Sequence, residues 1–459
     1  ELKWLMSSSS LTTMTSMLQA TFIFVNVMSM GHVGAKELTA MAVSISIFEI
    51  FIEGPIVGLA SALETFCSTA YTTVRDKTMV GFYFQRGLFA MWGYLIMILP
   101  LVWCTESIML AIGQDPYIAK LCGVFLRITV LGMFPMVAYV AYDRYLNSQG
   151  IMRIGTFILM VVAPLHWINN YLLVRAQVLG LEFAGGPIAN IISDWLLIIS
   201  ALVSVYIIGS TGTWGGWDLK ALRNMTEYIK LAVPAMLAIC AEWISLESIS
   251  ISASYFHANQ AAGQAIMTNT IVLIARLNDG LGFGNSARVG NLIGAAKPRQ
   301  ARMAGNVSFA VCLFICFLAA IFIIFYDNWW IPLYTTDILV IREVKKLKTV
   351  GCLLMLNTSL NTVLNSILRG LGRQKITAIT YLVNNNLVGI PLGLYLGFIC
   401  QMEVVGLWLG ACIGSMIANI ILIVYIYMGI NRKDEVRLCM IRLQRSRRSP
   451  ELDVPNTEI

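Results

Sequence analysis

From residue 5 to residue 428 the chain is a succession of apolar stretches, each long enough to cross a bilayer and joined mostly by short polar connections. A crossing needs about 20 apolar residues, and inside hydrocarbon the backbone must satisfy its own hydrogen bonds, which a helix does. Twelve such segments are read, at 5–30, 38–72, 79–104, 118–146, 152–174, 185–209, 227–255, 262–294, 303–326, 346–369, 376–400 and 404–428. Hydrophobic residues make up 58% of the chain and charged ones 12%, against about 25% charged in soluble domains. The expectation is an all-α integral membrane protein.

Basic residues fall on alternate connections: Arg75 and Lys77, Arg144 and Arg153, Lys220, Arg223 and Lys230, Lys297, Arg299 and Arg302, then Arg369, Arg373 and Lys375. Such an excess marks the cytoplasmic side, so both termini are expected in the cytosol. Arg342, Lys345, Lys346 and Lys348, ahead of the tenth segment, go against that pattern. The +7 net charge reports orientation and anionic lipid on one leaflet, and gives no support to nucleic-acid binding. Residues 431–459 mix Arg442, Arg445, Arg447 and Arg448 with Glu451 and Asp453, and read as a flexible cytoplasmic tail. The chain opens on Glu1 with no charged-then-apolar leader, which reads as a trimmed chain or mature fragment.

The ten cysteines lie mostly in apolar segments, where Cys behaves as a small hydrophobe; Cys104 and Cys122 flank one connection and are placed to permit a disulfide. Three scattered histidines, His32, His166 and His257, give no metal-ligand pattern, and no cofactor is expected. Nucleophile-elbow, zinc-protease and phosphate-cradling motifs do not occur in the sequence, which disfavours an intramembrane enzyme or an ATP-driven pump.

An internal duplication organises the chain. Gly58-Leu59-Ala60 recurs as Gly280-Leu281-Gly282, Gly150-Ile151-Met152-Arg153 as Gly372-Arg373-Gln374-Lys375, and Gly185 as Gly406, at offsets of 222, 222 and 221. Two homologous six-helix bundles follow, residues 1–210 and 227–430, joined by a cytoplasmic linker at 211–226. Parallel repeats of this kind build secondary transporters around a central cleft. Pro55, Pro135, Pro164, Pro234 and Pro391 lie inside apolar segments, where each removes a backbone hydrogen bond.

Several strings carry a resemblance: Gly31-His32-Val33-Gly34 with Glu37-Leu38, Gly58 to Tyr71 (GLASALETFCSTAY), Arg144 to Gly150 (RYLNSQG), Ala287-Arg288-Val289-Gly290-Asn291 with Gly294-Ala295, and Leu368-Arg369-Gly370 to Gln374. In this order on twelve segments, the chain resembles the multidrug and toxic compound extrusion (MATE) family in its eukaryotic branch. The resemblance implies a secondary antiporter exporting organic cations or other amphipathic compounds in exchange for H+ or, less readily, Na+, with a small-molecule organic cation or amphipathic substrate and membrane lipid as its partners and the protein monomeric. It departs from the family at Ser68-Thr69, where Gly-Gln is usual, at the run Ser7 to Ser10, where a Pro is usual, and at Thr358, where the tenth helix often carries an acid.

Glu242 and Glu247 interrupt the apolar run 231–251, and an acid in hydrocarbon costs at least about 2.5–3.5 kcal/mol unless it serves a pathway or pairs. Five residues apart, they point about 140° apart on a helix. The resemblance assigns proton coupling to the glutamate preceding the aromatic, here Glu242 before Trp243; Glu247 is carried beside it as a second coupling candidate. Glu53 and Glu64 share a face of the second segment with Glu49, although Gly54-Pro55 stands to break the helix between them. With Gln19, Asn26, Trp243 and Asn269 they are candidate cleft-lining residues. Arg276 and Asp279, three apart, are expected to form an internal ion pair. At an offset of 222 the counterparts of Glu242 and Glu247 are Ala20 and Val25, so the first half lacks both acids. The competing readings are a lipid-linked saccharide flippase, which would line its cleft with cations, and a non-transporting receptor or scaffold.

Overall fold

The computed structural model describes residues 2–30, 33–175, 181–208, 212–253, 255–335, 337–430 and 432–447. In chain order its long helices are α1 (Leu2–Met30), α2 (Lys36–Thr73), α3 (Thr78–Trp103), α4 (Pro116–Ser148), α5 (Arg153–Val174), α6 (Glu182–Ile208), α7 (Thr226–Ala253), α8 (Ala258–Gly294), α9 (Pro298–Phe325), α10 (Ile338–Leu371), α11 (Gln374–Ile399), α12 (Glu403–Gly429) and α13 (Arg432–Arg447). The described residues contain no strand. Gly31 and His32 of the first motif, and the tail beyond 447, lie outside the described residues.

Eleven of the described helices are long and apolar enough to cross a membrane; α8 is equally long but more polar. Its surroundings explain why it can be. It packs against α1, α2, α4, α9 and α10, and two of its amides are held by protein partners: Asn278 donates to Ser359 Oγ at 3.0 Å and Asn285 to Ser366 Oγ at 2.7 Å, both on α10. Polar residues between membrane helices serve as glue in this way.

Buried apolar side chains form two cores, one chiefly in the first half around Phe66, Tyr83 and Met91, and one in the second half around Met267, Trp330 and Trp408. Between the halves, α1 runs along α8 and α2 along α7. The duplicated glycines lie at these two crossings. A Cβ on Gly58 would come 2.3 Å from Met236 Cα, and one on Gly280 would come 2.4 Å from Thr13 Cα. Absence of a side chain lets the backbones touch, and hydroxyls fasten each contact: Thr12 donates to the Gly280 carbonyl at 2.7 Å, and Tyr228 to the Leu59 carbonyl at 2.8 Å. Ser9, in the serine run that stands where a Pro is usual, packs 3.2 Å from the Cβ position of Gly284 one turn further on.

Several sequence expectations change. α2 does not break at Gly54-Pro55; it widens into a π-turn over Glu49–Glu53. Pro55 has no N–H for the carbonyl four residues back and its ring crowds that group. The carbonyl in question, Phe51 O, instead accepts from the Tyr94 hydroxyl at 2.8 Å. The basic group at 342–348 is not a loop but the first turns of α10, where Asp327 lies 2.8 Å from Lys348 and 3.7 Å from Lys345, and Glu343 lies 2.7 Å from Lys346. Cys104 and Cys122 are free thiols, the latter buried against the Ala40 carbonyl at 3.3 Å. The tail read as flexible from 431 is helical over Arg432–Arg447 and docked, because Cys439 and Leu443 are apolar enough to bury on one side. The linker is pinned to α3, with Arg86 donating to the carbonyls of Ala221 at 3.1 Å and Arg223 at 2.8 Å.

Since a methyl at either crossing meets backbone, Gly58→Ala and Gly280→Ala are each expected to destabilise the protein by about 1–3 kcal/mol. Gly93→Ala, with nothing within 4 Å of its Cβ position, should be neutral or stabilising by up to about 1 kcal/mol. Thermal unfolding in detergent compares the three.

Candidate functional site in the gap between the halves

The hydrogen bonds that join the halves gather toward the end carrying the turns 149–152 and 372–373, here called the basic end. Thr65 Oγ1 donates to the Arg369 carbonyl at 2.8 Å, Gln374 Nε2 reaches Thr65 Oγ1 at 3.2 Å, and Thr73 Oγ1 donates to the Gly294 carbonyl at 2.9 Å. Gly290 and Gly294 of α8 let it lie against Ser68 and Thr72 of α2. The departure at Ser68-Thr69 therefore falls on this tightly packed α2–α8 contact.

At the heart of the seal, Phe283 of α8 is faced by two guanidinium groups, one from each half. Arg144 of α4 lies 3.6 Å from the ring centroid and Arg369 of α10 5.2 Å. Both arginines are buried, and Arg144 Nη1 and Arg369 Nε have no hydrogen-bond partner. Glu64, 1% exposed, is within electrostatic reach of Arg369 and of Asp143, and neither of its oxygens is hydrogen-bonded. Asp143 accepts from Asn147 at 2.8 Å.

Beyond the crossings, away from the basic end, Glu53, Glu242, Glu247, Arg276 and Asp279 of α2, α7 and α8 are all half-buried. Glu242 is within electrostatic reach of Asp279, Arg369 and Tyr381, and it makes no hydrogen bond or ion pair with any described residue. Asp279 pairs with Arg276 at 3.6 Å, their side chains 29% and 35% exposed. Arg276 in turn faces Glu49 and Glu53, while Glu247 accepts from Ser46 Oγ at 2.7 Å and neighbours Glu49. Glu242 and Glu247 thus meet different partners, as their angular separation implies.

The remaining candidates do not join this group. Asn26 is buried in the first half, donating to Asn190 at 2.8 Å and accepting from Asn170 at 2.5 Å, an interhelical clasp. Trp243 packs its ring on Gly54, 3.2 Å from the Cβ position, beside the π-turn. Gln19 and Asn269 are exposed. Asp143, Asp194 (near Glu53), Phe283 and Tyr381 are prominent here and were not singled out from sequence, and Arg144, read there as a cation on a connection, is buried within α4. The rule that flagged Glu242, an acid inside an apolar run, applies equally to Asp194 in 185–209.

Duplicated halves in contact at two crossings, sealed at one end and holding uncommitted carboxylates beyond the seal, define a twelve-helix membrane transporter. The MatE family model matches the chain twice, over residues 12–172 and 234–395, the second match starting 222 residues after the first. Protein DETOXIFICATION 16 of Arabidopsis thaliana is 30% identical over 399 residues, covering 86% of this chain and 81% of its own, and the human Multidrug and toxin extrusion protein 1 is 28% identical over 394 residues, covering 85% and 68%. Among solved structures, the eukaryotic MATE transporter AtDTX14 superposes with a TM-score of 0.90 at 24% identity, covering 96% of this chain and 98% of its own. The chain belongs to the MatE family, the multidrug and toxic compound extrusion transporters.

The ring of Phe283 is attractive to a guanidinium by about 0.5–2 kcal/mol depending on desolvation. Phe283→Leu, which keeps an apolar side chain and removes that face, is expected to lower the melting temperature by several degrees, and Phe283→Tyr to leave it nearly unchanged. A melting curve that does not distinguish Leu from Tyr would show that the ring contributes by volume alone.

Proposed function

We propose that the protein exports organic cations or other amphipathic compounds in exchange for H+, with Na+ the less favoured coupling ion, by alternating access of one cleft between bundles 1–210 and 227–430. Glu242 is the coupling carboxylate, and the basic end, with both termini, faces the cytosol. The observation that carries this reading is the uncommitted carboxylate of Glu242. Asp279 is paired with Arg276 and Glu247 holds a hydroxyl, whereas Glu242 stands in the gap with its charge free to meet either a proton or a cation.

A carboxylate cannot hold both at once. Protonation from the side to which the gap opens removes the attraction for a bound cation and releases it; loss of the proton toward the cytosol restores the site. Glu49, Glu53 and Asp194 would hold a negative potential along the approach, drawing cations in without committing to them. The same surplus disfavours the flippase alternative: a pyrophosphate needs cations in the gap, and there Arg276 already has its acid, while Arg144 and Arg369 are buried in the seal.

In proteoliposomes, a pH gradient should drive exchange of a labelled quaternary ammonium ion, and a Na+ gradient should not replace it. Glu242→Gln is expected to abolish pH-driven exchange while leaving the melting temperature within a few degrees, and Glu247→Gln to reduce it less. Undiminished coupled exchange by Glu242→Gln would overturn the assignment.

A further inference from the structure

The helix α13 lies across the sealed end and touches both halves. It packs against the ends of α2 from the first half and of α7, α8 and α9 from the second. Its grip on the second half is a two-pronged ion pair: Arg373 Nη2 approaches Glu435 Oε1 to 2.6 Å, and Nε lies 3.1 and 3.3 Å from the two oxygens. Glu435 is 3% exposed. Hydrogen bonding to that carboxylate, reinforced by its charge, holds the Arg373 guanidinium above its ordinary range. Two helical turns later, Arg442 donates to the carbonyls of Leu371 at 3.3 Å and Gly372 at 3.2 Å, closing the C-terminus of α10. Toward the first half, the buried Cys439 thiol lies against the hydroxyls of Thr69 and Thr73 on α2.

The duplicated turn shows that this contact is specific to one half. Gly372 has φ +68°, and a Cβ there would run into the Arg442 guanidinium; Gly150, its counterpart, has φ +79° and nothing within 4 Å of the same position. One copy of the turn is a docking seat for α13, and the other is bare.

We propose that α13 is a latch on the sealed end. Thr73 is also the residue whose hydroxyl joins α2 to Gly294, so α2 cannot draw away from α8 at this end while α13 keeps its hold on α2, Arg373 and Gly372 together. Docked, α13 favours the state closed at the basic end; it must release α2 before that end opens. The latch rests on the alternating-access reading above.

The test is the distance between the halves at the basic end in the full chain. Nitroxides go on Arg153→Cys and Lys375→Cys, both exposed and in opposite halves, after the exposed Cys104 and Cys400 are replaced by Ser. Double electron–electron resonance in lipid nanodiscs then reads closed and open populations. Glu435→Ala and Arg442→Ala are each expected to raise the open-to-closed ratio on the order of tenfold, as loss of a buried charge-assisted bond present in one state does. The exchange Arg373→Glu with Glu435→Arg should return most of it. Two populations in the wild type that neither variant redistributes, or variants that only lower the melting temperature, overturn the latch. A single wild-type distance at every pH and substrate concentration overturns alternating access and the latch with it.

Discussion

The two backbone contacts at Gly58 with Met236 and at Gly280 with Thr13 set the geometry on which everything else depends. Lipid gives helices no hydrophobic reason to associate, so a stable crossing needs close van der Waals approach. Here the approach is close enough that a single methyl on either glycine would meet a Cα at 2.3–2.4 Å. Both contacts lie at equivalent points of a duplicated chain. On one side of them the halves are bolted by hydroxyl-to-carbonyl bonds; on the other the side chains of Glu53, Glu242 and Arg276 stand half-open. The proposed alternating access would use that division.

Charge is used differently on the two sides. In the seal, Arg144 and Arg369 are buried and share one aromatic ring. Two like charges held there need the ring face, and the nearby Glu64 and Asp143 acids, to offset their repulsion and lost hydration. Parting the halves would leave these groups in search of new partners. In the gap, by contrast, the Arg276–Asp279 pair at 3.6 Å is about one-third exposed, a setting in which an ion pair is worth no more than about 1 kcal/mol. Such a pair shapes the local potential and yields readily to a competing ion.

The helices, their number and the duplication were legible because each is written in the sequence as a run or a repeat. Where a residue spends its hydrogen bonds was not. Asn26 and Glu242 look alike as polar intrusions in apolar segments, yet Asn26 is consumed by Asn190 and Asn170 while Glu242 has no such partner. The charged start of α10 was mistaken for a loop because Lys345 and Lys348 are neutralised by Asp327, a residue whose proximity only the fold creates. The docked α13 was missed for a related reason: its few apolar positions make a narrow stripe, and its anchors, Arg373 and Gly372, lie 62 and 70 residues away from the groups they meet.

The repeat offset itself needs refining, and the refinement changes the functional picture. Counting from the glycines places the counterpart of Glu242 at Ala20. The crossings pair Met236 with Thr13, which shifts α7 against α1 by one residue, so that the counterpart, six residues beyond each contact, is Gln19. The first half therefore presents at the equivalent position an amide of nearly the same shape that cannot titrate. Gln19 itself is exposed and stands outside the Glu242 group, so on the proposed reading, with Glu242 as the coupling carboxylate, one protonation would change the charge of the site. The second half also holds the occupied copy of the duplicated turn, with Arg442 over Gly372. Duplication supplies the close crossings in two equal parts, whereas Glu242 and the anchors of α13, Arg373 and Gly372, lie in the second half; on the proposed alternating-access reading, the events that change state would act chiefly on that half.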